Sequence, residues 1–478
     1  MMGPLFDLNI EVTRNGDTSI VEAIGRQLKK AIQQGRLQSN YKMPSTRTLA
    51  DNLGVSRNTI IAVYEDLVIT GYLFVIKNKG TYVKQQVLAH LPQAETKKIA
   101  RLNSYSRATM SKQILPSMSP AKFNFRVGTP DTALFPYKLW RKELAAAARR
   151  LEISPNQHQS AFGLNKLRTS LCQHVSYTRA ISAHNRNVCV TSGAQHALDM
   201  ICRVLVQSGK TNIVMEQPGY PMAKHLFKLH GANITYVEVD AEGLCVNQIP
   251  VNTDIVYTTP SHQFPLGVAM SANRRAELLD KANLMDFSII EDDYDSELRL
   301  SSTPIDALKS QDQLDNVFYV GTFSKCMFPD IRMGFCIVPE WAVTAIANIK
   351  FQTHWFNTAL LQEALSEFIS QGQLIKHIRK MRKVYAERYQ QLASSIHRYG
   401  KNQFNLTPAY AGVHVTVKVC SEINAFELAN EAIKNDVMVH SIKHFEPTTN
   451  HNGLVMGYGN IEVGKIDSGI QRLLSLVD

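Results

Sequence analysis

The chain has no run of about 18 consecutive apolar residues, the length a membrane-spanning helix requires. Its opening, MMGPLFDLNI, lacks the basic segment and following apolar core of an export signal. Neither export nor contact with a membrane is expected, and the expected location is cytoplasmic. Cysteine is sparse: Cys172, Cys189, Cys202, Cys245, Cys326, Cys336 and Cys420 are seven in number and never spaced as CxxC. An odd, scattered set argues against a disulfide framework or a zinc site and suits buried thiols in a reducing cytosol, so no metal is expected. Internal repeats and low-complexity tracts are missing as well. What is present is 44% hydrophobic and 19% charged residues, the composition of a globular protein. At 478 residues the chain suggests two or three domains.

Positive charge is in excess and unevenly spread. The formal net charge is +11. Residues 1–84 hold 11 Lys and Arg against 7 Asp and Glu, and residues 85–122 hold 6 against 1. The first quarter thus carries +9, leaving +2 for the other 356 residues. A basic N-terminal quarter on a near-neutral body points to a polyanion-binding module on a larger domain, with a simply solvated basic surface as the alternative.

Periodicity divides the chain in the same way. Ile20, Ala23, Ile24, Leu28, Ala31 and Ile32 recur at helical spacing between Ser19 and Gln34. Ser45 opens a second helix that runs to Leu53 and is stopped by Gly54. Ser56 is the N-cap of a third, through Asp66 to Thr70, and YLFVIKNKGTYV then alternates as a hairpin with KNKG at its tip. Residues 1–84 are therefore one expected domain. Residues 85–120 are polar, basic and without a sustained period, as in a linker, and 36 such residues of coil reach roughly 30–36 Å. From Phe123 onward the runs NVCVTS, TNIVMEQ, ITYVEVD, DIVYTTP, SIIEDDY and NVFYVGTFS alternate with helical stretches. That alternation predicts an α/β domain over 121–478, with a mainly parallel sheet covered by helices. Helices in LLQEALSEFIS and HIRKMRKVYAERYQQLASSI lead into a smaller αβ segment, 405–478.

Helix, glycine turn, helix and a hairpin with a basic tip make a winged helix-turn-helix, whose third helix enters the major groove with its first residues forward. Those residues are Ser56, Arg57, Asn58 and Thr59. Arginine pairs bidentately with guanine, asparagine with adenine, and hydroxyls reach phosphates or base edges. Ser45, Arg47, Lys77 and Lys79 would hold the backbone without reading sequence; plain helix capping is the other reading of SRNT. PSTRTLADNLGVSRNT, followed by VYEDL, GY and KGTYV, resembles the GntR-type DNA-binding domain across residues 19–83. The resemblance implies a double-stranded DNA operator contacted by Arg47, Ser56, Arg57, Asn58, Thr59, Lys79 and Gly80. The family usually has a small residue at the wing tip; Lys79 stands here and should add affinity more than specificity. Lys97, Lys98, Arg101 and Arg107 in the linker either touch phosphates as well or are merely solvated.

A second constellation lies in the larger part. In GTFSKCMFPDIRMGF, Lys325 follows a predicted strand and loop, where α/β sheets present reactive side chains. A desolvated lysine beside a cation has a depressed pKa and attacks an aldehyde as the free amine. Arg332, Thr322 and Ser324 suit a phosphate monoester, and the strand-to-helix turn in TSGAQHALDMI offers the backbone amides of Ala194 and Gln195 to the same anion. SIIEDDYD ends in Asp292, a carboxylate for a protonated ring nitrogen, and Tyr294, a phenol for the adjacent phenolate oxygen. Tyr220, in EQPGYP, can stack on a flat ring. Amine, phosphate clamp, carboxylate, phenol and aromatic lid together describe pyridoxal 5′-phosphate, PLP. Singly they are weak, since EDD is usually a solvated strand end.

Residues 123–478 resemble the fold type I aminotransferases. With its N-terminal part, the chain resembles the MocR subfamily of GntR regulators end to end, in FPYKLW, TSGAQHALD, EQPGYP, TPSHQFPLG, EDDYDSELR, GTFSK and RMGF. The implied fold is a winged helix-turn-helix followed by a fold type I, PLP-dependent aminotransferase-like domain. The resemblance further implies a Schiff base between Lys325 and PLP, Asp292 at the pyridine nitrogen, and Tyr294 at the 3′-oxygen. Ala194, Gln195, Thr322, Ser324 and Arg332 would hold the phosphate. His262, in TPSHQFP, falls near the cofactor with no assigned role, and a turn-forming histidine is the other reading. A homodimer is implied too, and the linker is long enough for the domains to be exchanged. One departure stands out. Related aminotransferases bind the substrate carboxylate with an arginine shortly before the final helix; registered on Gly457-Tyr458, that position is Val455. The lost clamp is worth on the order of 1.5–3 kcal/mol, unless Lys443, His444 or His451 substitutes. The expectation is a PLP-dependent DNA-binding transcriptional regulator. Its small-molecule effector, an amino acid or PLP itself, would shift the DNA-binding heads between two states. The departure favours something other than a simple α-amino acid. The alternatives are an aminotransferase with an accessory DNA-binding domain, and a regulator whose larger domain has lost the cofactor and serves as a dimer scaffold.

Overall fold

The computed structural model describes residues 10, 12, 19–77, 79–84, 102, 104–109, 121–153, 160–300, 306–400, 402–446 and 450–477. The chain divides into two compact units, Met1–Ser111 and Lys112–Asp478.

In the first unit, helices α1 (Ile20–Gln33), α2 (Thr46–Leu53) and α3 (Arg57–Ile69) precede strands β1 (Leu73–Ile76) and β2 (Gly80–Val83). Each helix starts at a serine whose hydroxyl accepts a backbone N–H three residues on: Ser19 from Glu22, Ser45 from Thr48 and Ser56 from Thr59. Such caps contribute ~1 kcal/mol apiece. Gly54 closes α2 in the left-handed conformation, at φ 65°. On α3, Ile60, Val63, Tyr64 and Leu67 recur on one face and pack with Ile24, Leu28 and Leu73. That face fixes the helix and leaves its first turn outside. β1 and β2 pair antiparallel, Leu73 opposite Val83, as the wing. Most of the predicted linker lies outside the described residues; within it Ser104–Thr109 forms a six-residue helix that no periodicity announced.

The second unit begins with β3 (Phe123–Asn124), followed by β4 (Val188–Thr191), β5 (Asn212–Gln217), β6 (Asn233–Asp240) and β7 (Gly243–Leu244). β8 (Ile255–Thr258), β9 (Ser288–Asp293), β10 (Val317–Thr322) and β11 (Gly334–Ile337) come next. The main sheet has the order β4-β11-β10-β9-β8-β5-β6-β7. The six predicted runs are β4, β5, β6, β8, β9 and β10, and the ladders from β10 through β9, β8 and β5 to β6 are parallel. β11, absent from the sequence reading, runs antiparallel between β4 and β10. Four residues buried throughout carry no alternation to recognise. Helices cover both faces: Val188, Val190, Tyr319 and Phe335 belong to one core, while Cys189, Phe318, Val320 and Cys336, one residue out of step, belong to the other.

The C-terminal segment forms a second sheet. β12 (Phe404–Leu406), β13 (His414–Val419), β14 (Val437–Met438), β15 (His440–Ser441) and β16 (Gly453–Gly457) follow the long helix Gln373–Tyr399, and β12-β13-β16-β15 are neighbours in that order. β14 pairs in parallel with β3, so residues at the start of the unit complete this segment, and Phe125 is fully buried in its core. All seven cysteines are free thiols, five of them buried. No described helix is long and apolar enough to cross a membrane.

Candidate cofactor site and nucleic-acid interface

β4, β8, β9 and β10 end at the same edge of the main sheet, where open α/β sheets bind ligands. A cavity of about 230 Å³ lies there. Lys325, three residues beyond β10, lines it, and its ammonium donates a hydrogen bond to the Gly128 carbonyl. Desolvation lowers the pKa of this lysine, with Asp295 and Asp292 acting the other way. Opposite, Asp292 at the end of β9 accepts a 2.7 Å hydrogen bond from the Tyr257 hydroxyl on Oδ2, while its Oδ1 has no partner among the described residues. Burial pushes its pKa up to about 7, assisted by the carboxyls of Asp293, Glu216 and Asp295 and opposed by the Tyr257 hydrogen bond.

A pH effect follows from Asp292. An unfolded aspartate titrates near ~3.9. Between that value and about 7 the folded, cofactor-free protein holds a proton that the unfolded chain has released. Stability therefore falls as pH rises through this window, by at most about 1.4 kcal/mol per unit. Asp292→Asn should remove this slope, so that its thermal midpoint gains on the wild type from pH 5 to pH 8. Equal midpoint differences at both ends would refute the assignment of a protonated carboxyl.

At the other end of the cavity the helix Ala194–Leu205 begins, with Ala194 and Gln195 on the lining. Its first amides have no acceptor within the helix and suit an anion. Gly193, the residue before, sits at φ 97°, and a Cβ there would come within 3.3 Å of the Arg332 guanidinium. The backbone conformation calls for glycine, and the lack of a side chain leaves room for the guanidinium. Arg332 donates to the Ser192 carbonyl at 3.0 Å, which fixes the cation beside the helix start. Thr322 and Ser324 share a 3.1 Å hydroxyl contact on the same wall. Tyr220 meets the Phe264 ring edge-on at 5.5 Å, and the Tyr294 hydroxyl donates to the His262 carbonyl at 2.9 Å.

All nine residues expected at the cofactor line this one cavity. The sequence reading missed Gly128, Tyr257, Thr259, Phe264, Pro329 and His414, which complete the lining. Val455 is fully buried on β16 in a cluster with Val239, Leu266 and Ile442, and is not on the lining; nor are Lys443, His444 and His451. The cations that line the cavity are Lys325 and Arg332.

In the first unit, Ser56, Arg57 and Asn58 are exposed at the start of α3 and Thr59 is half-buried. Ser45, Arg47, Lys77, Lys79 and Gly80 are exposed too. Arg57 is lightly tethered, its Nε 3.5 Å from the Thr46 hydroxyl.

Residues 120–453 match the family described as Aminotransferase class I and II. The chain belongs to that family. This aminotransferase-family chain also carries, at residues 20–83, a domain of the bacterial regulatory proteins of the gntR family. It is similar over nearly its whole length to proteins of the MocR type. The probable rhizopine catabolism regulatory protein MocR of Rhizobium meliloti is 29% identical, covering 97% of this chain and 94% of that one. The pyridoxine biosynthesis transcriptional regulator PdxR of Corynebacterium glutamicum is 28% identical, covering 95% of each. Among solved structures, the kynurenine aminotransferase of Pyrococcus horikoshii, in complex with PMP, aligns with a TM-score of 0.71 at 25% identity. That alignment covers 82% of this chain and 98% of the aminotransferase. PLP is the cofactor of this fold, and the cavity fits it: an unpaired carboxylate oxygen, a desolvated amine, and a helix start beside an arginine are the groups its ring, aldehyde and phosphate need.

Proposed function

We propose that the chain is a PLP-binding transcriptional regulator in which a ligand of the cavity controls the grip of α3 on DNA. The observation that carries this reading is the convergence of nine residues, scattered from 194 to 332, on one cavity in a chain that also exposes Ser56, Arg57 and Asn58 on a helix start. Bound there, PLP supplies an aldehyde that combines with primary amines and a ring that withdraws electrons. Arg332, the amides of Ala194 and Gln195, and the hydroxyls of Thr322 and Ser324 hold its phosphate. Asp292 keeps a proton at the ring nitrogen, Tyr294 offers its hydroxyl to the 3′-oxygen, Tyr220 covers the ring, and Lys325 presents the amine. A DNA-binding domain over 1–84, a linker over 85–120 and an effector domain over 121–478 agree with the division of the two compact units inside that linker.

The two named relatives are regulators, one of them of pyridoxine biosynthesis, which supports control of transcription. The working form is a cytoplasmic homodimer, with domains exchanged between subunits. An exposed aromatic patch favours the dimer: Phe351 and Trp355 stack at 5.9 Å, and Phe356 lies beside them. Such patches mark contact surfaces. Residual transamination is a second reading, favoured by the complete lysine pocket; turnover with amino and keto acids measures it.

The test is one titration on the full chain. Visible absorbance and retention of its own upstream DNA should both change as PLP is added, and sedimentation should show a dimer. Unchanged absorbance or unchanged retention would remove the coupling between cavity and DNA.

A further inference from the structure

One wall of the cavity is not explained by the cofactor. His414, the first residue of β13, is fully buried, and among the described residues neither of its ring nitrogens has a partner in good hydrogen-bond geometry, although the Pro265 backbone lies near enough to favour its protonated form. Its ring packs on that of His262 at 4.5 Å and lies nearly parallel to Tyr294 at 6.4 Å. Behind it, His262 Nδ1 is 2.9 Å from Asp295 Oδ1, while His262 Nε2 and Asp295 Oδ2 are also unpaired. Of His414, His262 and Asp295, it is His414 that lines the cavity, and a buried polar atom left unpaired costs about 1–3 kcal/mol, so this wall calls for a polar guest. Burial, with His262 and Lys325 adding to it, holds the His414 pKa well below the usual histidine range. The ring is therefore neutral, with one N–H donor and one bare acceptor.

The charges around the cavity decide what kind of guest. Its lining cations, Lys325 and Arg332, are those the proposed function assigns to the cofactor. At the His414 wall a guest carboxylate would meet a neutral imidazole with the His262–Asp295 pair behind it, and no cation beyond the Lys325 and Arg332 already assigned. In a desolvated site that arrangement disfavours an anion. A hydroxyl or amide N–H, in contrast, finds the bare imidazole nitrogen waiting for a donor.

We propose that the effector is a primary amine with an uncharged hydrogen-bonding tail, an amino alcohol or amino amide rather than an amino acid. His414 is the specificity-determining residue, and His262 and Asp295 position it. The inference rests on the proposed function, because the amine end of the guest is read at the PLP-loaded cavity.

Matched pairs test it. The PLP-loaded full chain is titrated with L-alaninol against L-alanine, and L-phenylalaninol against L-phenylalanine, following the visible band and DNA retention. Each alcohol should half-saturate at about tenfold lower concentration than its acid, which corresponds to ~1.4 kcal/mol. His414→Phe should reduce that ratio to near one, and His414→Gln, which keeps a donor and an acceptor, should restore most of it. The ratio is the readout, so a change in cofactor occupancy common to both ligands cancels. A wild type that prefers the acids, or ranks them equally, overturns the ligand class; this includes the case of a carboxylate receptor supplied by a second copy of the chain. An undiminished ratio in His414→Phe overturns the role of His414. The same three side chains bring possible metal-ligand atoms within 4.8 Å of one another. Loss of the preference on adding a chelator would give the wall to a divalent cation and overturn the proposal. Failure of the reading beneath looks different: the PLP-treated wild type would show no visible band at all.

Discussion

Lys325→Ala protein, treated with one equivalent of PLP, freed of unbound reagent and then reduced with borohydride, will keep its unmodified mass, whereas the wild type will gain one phosphopyridoxyl group. The effect is expected to be complete, because Lys325 is the lysine that lines the cavity. Desolvation favours its free amine, the form that attacks an aldehyde. Burial alone does not make a lysine reactive here, and a second residue shows why. Lys350 has no exposed surface and its pKa is likewise lowered by burial, but its ammonium is bound to the Val190 carbonyl between Cys189 and Cys336, away from the cavity. Lys350→Met should therefore label as the wild type does. Label found on Lys350, or persisting in Lys325→Ala, would place the aldehyde site elsewhere. Loss of the lysine should also uncouple DNA retention from added PLP, since the Arg332 clamp still binds the phosphate without reporting on the amine.

Features written within a few residues of one another were readable from the sequence. The serine caps lie three residues from the N–H groups they accept, and the buried face of α3 repeats at helical spacing. Asp292 and Tyr294 are two apart at a strand end, which aims both side chains the same way, and both line the cavity. The rest depends on tertiary closure. Gly128 approaches Lys325 across 197 positions of sequence, and nothing in RVGTPD marks that carbonyl as its partner. His414 begins a strand whose inward residues read as ordinary core, so its place on the wall needed the second sheet. β11 and β3 are too short to show a period, although β11 is what brings Thr191 and Thr322 to the same edge through Gly334. His262 lies behind the lining rather than on it: its carbonyl accepts from the Tyr294 hydroxyl, and its ring nitrogen is 3.2 Å from the same oxygen. Val455, placed by register alone, lies in an aliphatic cluster that has no charge to offer a carboxylate.

On the DNA side the largest loss is expected from Arg57. It is exposed on the first turn of α3, and among the described residues its side chain is held by a 3.5 Å contact to Thr46, which leaves the guanidinium able to meet a guanine edge. Arg57→Ala should weaken operator binding by about 1–3 kcal/mol, roughly 5- to 150-fold, and most strongly against the preferred base at one position. Because the side chain is exposed, the thermal midpoint should barely move, a surface change being within about 0.5 kcal/mol. Lys79, exposed on the wing, should behave otherwise. Lys79→Ala should weaken operator and unrelated DNA alike and reduce the salt slope of binding by about 0.9, the signature of one lost phosphate contact. The contrast separates reading from gripping. If Arg57→Ala weakens all sequences equally while lowering the salt slope, α3 touches only the backbone, and base recognition must come from Asn58 or Thr59 beside it.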